Sequence, residues 1–465
     1  MQRRAALLGH FVLAGALALG ATEPPRIDFE DERLSTVWAA AGDLSASREA
    51  LPAEVAVDDA LADRPFGSGV RLSSQDGGGL LYTREGALAS DWSAYESISL
   101  WIWRSAERAE AGATTIELQM IEPGGGRFWR KLELDHAGWR RVELPLARFG
   151  WQQTRIPRWD RIRHFGVLLR DADELVIDAV RVHDDEGGPG PFLVASEVRA
   201  LAFEGRAETE AVRTHAANGI ELVTDAPDLD LERVHARLVE AATYVDALLP
   251  DGGDALRTPR LVVFAEDADY RAFAPRLAGA FARDATSPGS GGYTLLAIAH
   301  GAWDASYGSD RPTFVHEFVH SYLSCRALLP NKTEWLQEGI ANHVQMRFHR
   351  QEGLDELVTD AAAQLDDPTL IEQVTSGEPI STRRYWLAMT VAETLMHRER
   401  YAADFPDLIA AARANGSTAL GPLLAEVHES NYAELFIEWR AWFAEAYAVT
   451  PPEPPADAPV PDDPR

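Results

Sequence analysis

One cysteine, Cys325, stands in 465 residues, which excludes any intrachain disulfide and any metal site built on clustered cysteines. Lysine is almost as scarce: Lys131 and Lys332 are the only two, so arginine carries nearly all the positive charge. Positive charge is itself in deficit. There are 44 Lys and Arg against 73 Asp and Glu, a net charge of −29, and a field of that sign repels nucleic-acid phosphates and anionic lipid headgroups. Nucleic acid is thereby excluded as a partner. Long apolar runs are missing too, for beyond the extreme N-terminus none approaches the roughly 20 residues a spanning helix needs. No stable membrane span is expected after signal cleavage. Internal repeats at solenoid periods are also absent. What is present, 46% hydrophobic and 25% charged residues, describes folded domains, and the length implies two or three packed cores. Chemistry in such a chain falls to His, Asp, Glu, Ser or Tyr.

At the N-terminus, Arg3 and Arg4 precede an apolar run from Ala5 to Leu19, and Ala18-Leu19-Gly20 supplies small residues around a cleavage point. This reads as a signal peptide over residues 1–20 and predicts a secreted or periplasmic bacterial protein. A membrane anchor is the rival reading, but the run is too short to span. With one cysteine, such a protein must be stabilised by burial and not by disulfides. Residues 449–465 alternate Pro with Ala, Asp and Glu, a pattern that buries little and predicts a disordered tail.

Between Ile27 and His183 the pattern is short alternating segments: Val70 to Leu72, Ile98 to Trp103, Thr115 to Ile121, Arg127 to Leu134, Arg140 to Leu144, His164 to Leu169 and Glu174 to Val182. Gly-rich turns separate them, which predicts an all-β sandwich over residues 25–184. The strings Asp28-Phe29-Glu30, Asp91-Trp92-Ser93, Leu100-Trp101-Ile102-Trp103, Gly138-Trp139 and Ile177-Asp178-Ala179-Val180 resemble a galactose-binding-like jelly roll. That resemblance implies a carbohydrate or cell-envelope ligand. Trp101 and Trp103 share one strand face, either as sandwich core or as a sugar-stacking platform. Glu30 and Asp178 are candidates for a structural Ca2+, as in related modules, with solvated turn carboxylates as the alternative. An acidic Gly/Pro stretch then predicts a linker over residues 185–192.

Beyond the linker the period changes. Leu231 to Leu249 is apolar at helical spacing, Arg260 to Ala265 is a short strand-like run, and helical patterns dominate from Pro312 to Tyr447. An α+β, mostly helical domain is expected over residues 193–448. Its chemical signal is a helix started by Asp310 or Ser309 as cap, with Pro312 in the first turn, that carries His316-Glu317-Phe318-Val319-His320. Four residues apart, the two imidazoles project from one face and can share an ion; Glu317, rotated by roughly 100°, can serve a water beside it. Phe314, Val315, Phe318, Val319 and Leu323 predict burial of this helix, where free imidazoles are costly. Zinc at a catalytic site takes three protein ligands. The next helix, from an Asn331/Glu334 capping box, offers Glu334 or Glu338 as the third.

Trp335-Leu336-Gln337-Glu338-Gly339-Ile340-Ala341 after HExxH resembles the gluzincin metallopeptidases, particularly the peptidase-MA-like family. The gap from His320 to Glu338 is one residue shorter than in the common aminopeptidase type. The resemblance implies a zincin-like fold, Zn2+ held by His316, His320 and Glu338, and Glu317 as general base. It also implies an edge strand for an extended peptide substrate, within Gly291 to Ala299, and a tyrosine-bearing helix at Arg384 to Met389. Tyr385 is either an oxyanion donor or a buried aromatic, with His343 as another candidate donor. Asn342, one turn beyond Glu338, is a candidate to orient a ligand. Cys325 is read as a small buried hydrophobe. The expected function is a secreted zinc-dependent peptidase acting on peptides or proteins. The alternative is a glycan- or cell-wall-binding protein whose zincin-like domain is inactive.

Overall fold

The computed structural model describes residues 26–27, 37–50, 68–152, 155–184, 190–249, 257–350 and 353–448. The expected signal peptide, most of the linker, Glu30 and the C-terminal tail lie outside them. In the N-terminal half, alternation produces β1 (Arg26–Ile27), β2 (Trp38–Ala41), β3 (Ser45–Ala50), β4 (Ser68–Ser74), β5 (Gly79–Thr83), β6 (Ser97–Arg104), β7 (Thr114–Ile121), β8 (Arg127–Leu134), β9 (Gly138–Pro145), β10 (Gly150–Trp151), β11 (His164–Leu169) and β12 (Asp173–His183). One sheet runs β3-β4-β12-β6-β9 with β1 beside β12, and the other runs β10-β8-β7-β11-β5-β2. Ile98, Leu100 and Ile102 of the first pack with Ile116, Leu118 and Met120 of the second in one buried core, so the half is an antiparallel β-sandwich.

Two expectations about this half change. Trp101 and Trp103 point to the face of β6 opposite Ile98, Leu100 and Ile102, outside the core between the two sheets; Trp101 is nevertheless buried at 5% exposure, while Trp103 is half-buried. Asp178 is not a solvated turn carboxylate. It is buried within β12, where the pairing with β6 slips between Asp178 and Arg181 and Ala179 takes a φ of 49°.

In the C-terminal half, β13 (Arg213–Ala217), β14 (Ile220–Thr224), β15 (Arg260–Phe264), β16 (Gly292–Leu295) and β17 (Ile298–Ala302) form a mixed sheet in the order β13-β14-β15-β17-β16. Helices α1 (Leu231–Asp246), α2 (Asp267–Ala280), α3 (Pro312–Arg326), α4 (Trp335–Phe348), α5 (Tyr385–His397) and α6 (Tyr432–Ala446) surround it. Leu261, Val263 and Ala299 face the core shared with α1, α3, α4 and α5, while Val262, Phe264 and Ile298 face α2. The expected single strand from Gly291 to Ala299 is a hairpin. β16 pairs antiparallel with β17, and Leu296 and Ala297 form its tip with φ of 51° and 63°. Positive φ at both turn residues matches the right-handed twist of a two-residue hairpin.

The hairpin tip joins the two halves. Ala297, with Cys325 and Leu328, packs into the core of the sandwich. Arg130 donates to the Ala280 carbonyl at 2.8 Å, and Arg283 to that of Trp151 at 3.0 Å. Among the described residues no helix is long and apolar enough to cross a membrane.

Candidate metal centre

Helix α3 is apolar on nearly all sides, and Phe314, Val315, Phe318, Val319 and Leu323 are buried as their spacing predicts. Its start differs from expectation. Arg311 is the N-cap and offers no side-chain cap; Ser309 instead accepts from the Asp230 N–H at 2.9 Å, and Asp310 pairs with Arg237 at 2.6 Å. Helix α4 also starts later than the expected capping box. Its N-cap is Glu334, whose carboxylate accepts from the Leu336 and Gln337 N–H groups at 2.9 and 3.1 Å, while Asn331 accepts only from Thr333. That capping role removes Glu334 as a rival ligand.

The two helices bring His316, His320 and Glu338 together. The two Nε2 atoms lie 3.1 Å apart, and Glu338 Oε2 lies 3.3 Å from that of His316 and 3.4 Å from that of His320. One ligand atom from each of the three falls within 4.8 Å of the others. Gly339 makes the arrangement possible from behind: a Cβ there would sit 2.8 Å from the Ala388 carbonyl oxygen, so only glycine lets α4 lie this close to α5.

These residues could hold a divalent metal ion, and their hydrogen bonding supports the fit. Gln337 donates to the Leu329 carbonyl at 2.8 Å and turns its own oxygen to His320 Nδ1 at 2.9 Å. Nδ1 must then carry the proton, which leaves the Nε2 lone pair facing the cluster. Glu338 Oε2 is buried without a hydrogen-bond partner, as is His316 Nδ1. Buried lone pairs converging at such distances require positive charge between them. Protons show the same demand. Burial alone would lower the His320 imidazole, but the Glu338 carboxylate outweighs it and pushes it up to about 9. Burial would raise Glu338, yet His320 and His316 hold it down at about 2. Two imidazoles and a carboxylate are a donor set suited to zinc with one position left open.

Glu317 stands beside this cluster and not within it. The Thr294 hydroxyl, on β16, lies 2.8 Å from Glu317 Oε2 and 3.0 Å from the Glu317 carbonyl. Burial raises the carboxyl above its ordinary value despite the opposing pull of His316 and His320. Gly292 leaves the room it needs, since a Cβ there would come within 2.7 Å of Glu317 Cγ. Tyr385, the first residue of α5, lays its ring parallel to His316 at 6.3 Å. Its phenol is raised by burial and by the carboxylates of Glu338 and Glu317, so it stays protonated.

Other expected residues stand apart. His343 is held by Tyr244 at 2.7 Å and Glu393 at 2.9 Å, which leaves neither ring nitrogen for a substrate. Asn342 is buried on α4, but its amide bonds to none of the three cluster residues and its Nδ2 has no partner. Cys325 is a buried thiol, pushed up to about 11 by burial, as a small apolar residue would sit. Thr294, Gln337 and Gly292 were not singled out by the sequence. The available signal was period two along β16, which sets Gly292 and Thr294 toward α3 and Tyr293 outward.

The fold and site define a β-sandwich followed by a mostly helical α+β domain that carries a His-His-Glu cluster. No family model matches the chain, and no curated protein does. Similar solved structures include the family 11 carbohydrate-binding module from Clostridium thermocellum in complex with a beta-1,3-1,4-mixed-linked tetrasaccharide. It has 16% identity and a TM-score of 0.25, over 34% of this chain and 93% of that one. An exo-beta-agarase has 13% identity and a TM-score of 0.26, over 42% of this chain and 35% of that one. The CBM22-1 and GH10 modules of Clostridium thermocellum endo-1,4-beta-D-xylanase 10B, complexed with xylohexaose, have 10% identity and a TM-score of 0.25, over 36% and 29%.

Proposed function

We propose that the chain is a secreted zinc-dependent peptidase of the gluzincin type, with His316, His320 and Glu338 holding the ion. The carrying observation is the convergence of those three side chains next to Glu317, itself fixed by a residue of an edge strand. A zinc ion so held supplies Lewis acidity to a scissile carbonyl and makes water easier to deprotonate at neutral pH. Glu317 takes the proton from the attacking water on Oε1, because Oε2 is engaged by Thr294, and passes it to the leaving amine. Tyr385 donates a hydrogen bond from its phenol to the carbonyl oxygen as that oxygen gains charge and keeps its proton. β16, last in its sheet, offers unpaired backbone groups to an extended peptide.

Replacing Glu317 by Gln is expected to keep one zinc per chain by mass spectrometry and to abolish cleavage of a generic peptide mixture. Retained turnover in that variant overturns the assignment of the base.

A second reading, glycan binding by the sandwich, is favoured by one observation. An open cleft of about 370 Å3 lies across β7 and β8, lined by Glu117, Arg127, Trp129, Arg170 and, from the other half, Arg283. Polar groups around an indole are what a sugar ring needs. Titration with soluble oligosaccharides should then give saturable binding that Trp129→Ala removes, and equal binding by both proteins rejects this reading.

A further inference from the structure

A second cavity, of about 520 Å3, lies between the two halves, and none of the cluster residues lines it. Its walls come from the sandwich through Phe149, Trp151 and Trp159, and from the C-terminal half through Phe281 and Leu296. Domain junctions and volumes of roughly 300–1,000 Å3 are where small-molecule sites concentrate. Two of its charges, Arg260 and Glu221, pair with each other. The third, Arg257, pairs with nothing: its guanidinium makes no hydrogen bond or ion pair with the described residues, and Nη1 is buried without a partner. Aromatic rings surround it, with Trp151 at 4.1 Å, Phe128 at 5.7 Å and Phe192 at 6.0 Å.

Retaining a cation in such a place is costly. Cation–π contact recovers part of the lost hydration, but it leaves the directional N–H groups unused. Burial lowers the guanidinium to about 10, so it is still charged at neutral pH. In a chain of net charge −29, a guanidinium set among aromatic rings with no carboxylate partner among the described residues is suited to an anionic ligand.

We propose that this cavity is a binding site for a small organic carboxylate with a flat apolar body. Its carboxylate pairs with Arg257 and its ring system lies among Phe149, Trp151, Trp159 and Phe281. The planar guanidinium fork suits a carboxylate in two-point contact, and a bare inorganic anion would leave the aromatic walls unfilled. Because both halves contribute walls, the bound molecule also joins them.

The test is calorimetric titration of the full chain with 1-naphthoate and with its uncharged isostere 1-naphthamide. Saturable one-to-one binding of naphthoate is expected, with naphthamide at least tenfold weaker. Arg257→Met and Arg257→Gln should each weaken naphthoate at least tenfold while keeping the native circular dichroism and metal content. In the absence of ligand, Arg257→Met should melt no lower than the native chain, since it removes a partly buried guanidinium that has no polar partner among the described residues. The proposal is overturned if naphthoate shows no saturable binding, if the two probes bind alike, or if Arg257→Met binds naphthoate as tightly as the native chain.

Discussion

His300 illustrates how far one residue's surroundings set its chemistry. It sits fully buried on β17 against Tyr270, Phe273 and Tyr293, with Nε2 unpartnered, and burial drives its imidazole down to about 3. The folded pKa lies below the unfolded value of about 6.5, so the unfolded chain binds the proton first. This residue's contribution is therefore full above pH 6.5 and falls as pH drops through the window from about 6.5 to about 3. The expected slope is roughly 1.4 kcal/mol per pH unit. His300→Phe keeps the packing and should remove that slope; denaturant melts of both proteins from pH 7 to pH 4 check it, and parallel pH profiles reject it. At the same scale the pairing of His316 with His320 was legible in the sequence, because i,i+4 spacing on a helix leaves little freedom, whereas Glu338 was reached only through a family resemblance. Gln337 and Thr294 were not, since their roles depend on a neighbouring helix and strand that no local spacing announces.

Among the elements, legibility followed the strength of the local period. β8 and β11 fall where alternation placed them, and α1 where three- and four-residue spacing did. The β16–β17 hairpin was hidden because Leu295-Leu296-Ala297-Ile298 is one apolar run without the Asn or Gly that marks a two-residue turn. Tertiary burial of the tip overrides turn chemistry there. The reverse holds at Gly339, whose place in the motif string was readable while its cause was not. The contact with the Ala388 carbonyl predicts that Gly339→Ala forces α4 and α5 apart at a cost of about 1–3 kcal/mol. A thermal melt should show the loss, and metal affinity should fall with it because Glu338 moves. An unchanged melting temperature would show that the two helices can part freely.

On the scale of the whole molecule, the division into a sandwich and a helical α+β half was readable from the change of period. Their junction was not, because surfaces that meet only after folding leave no repeat in either half. Ala297, Cys325 and Leu328 belong by sequence to one half and by packing to the other. A fragment spanning residues 190–448 therefore exposes an apolar hairpin tip. It is expected to unfold at lower temperature than the full chain and to lose peptide cleavage more than zinc, as measured by melting and by metal analysis. A fragment as stable and active as the whole would show that the sandwich gives no support.

The hairpin tip also bears on how such a chain could be rearranged. Thr294, which steadies Glu317, lies three residues from Ala297, which is plugged into the sandwich. The sandwich is thus a socket for the strand that carries the Glu317 partner, Thr294, and any replacement module must reproduce that socket as well as a linker. Recombination that treats the two halves as interchangeable beads would preserve His316, His320 and Glu338 and still misplace Glu317.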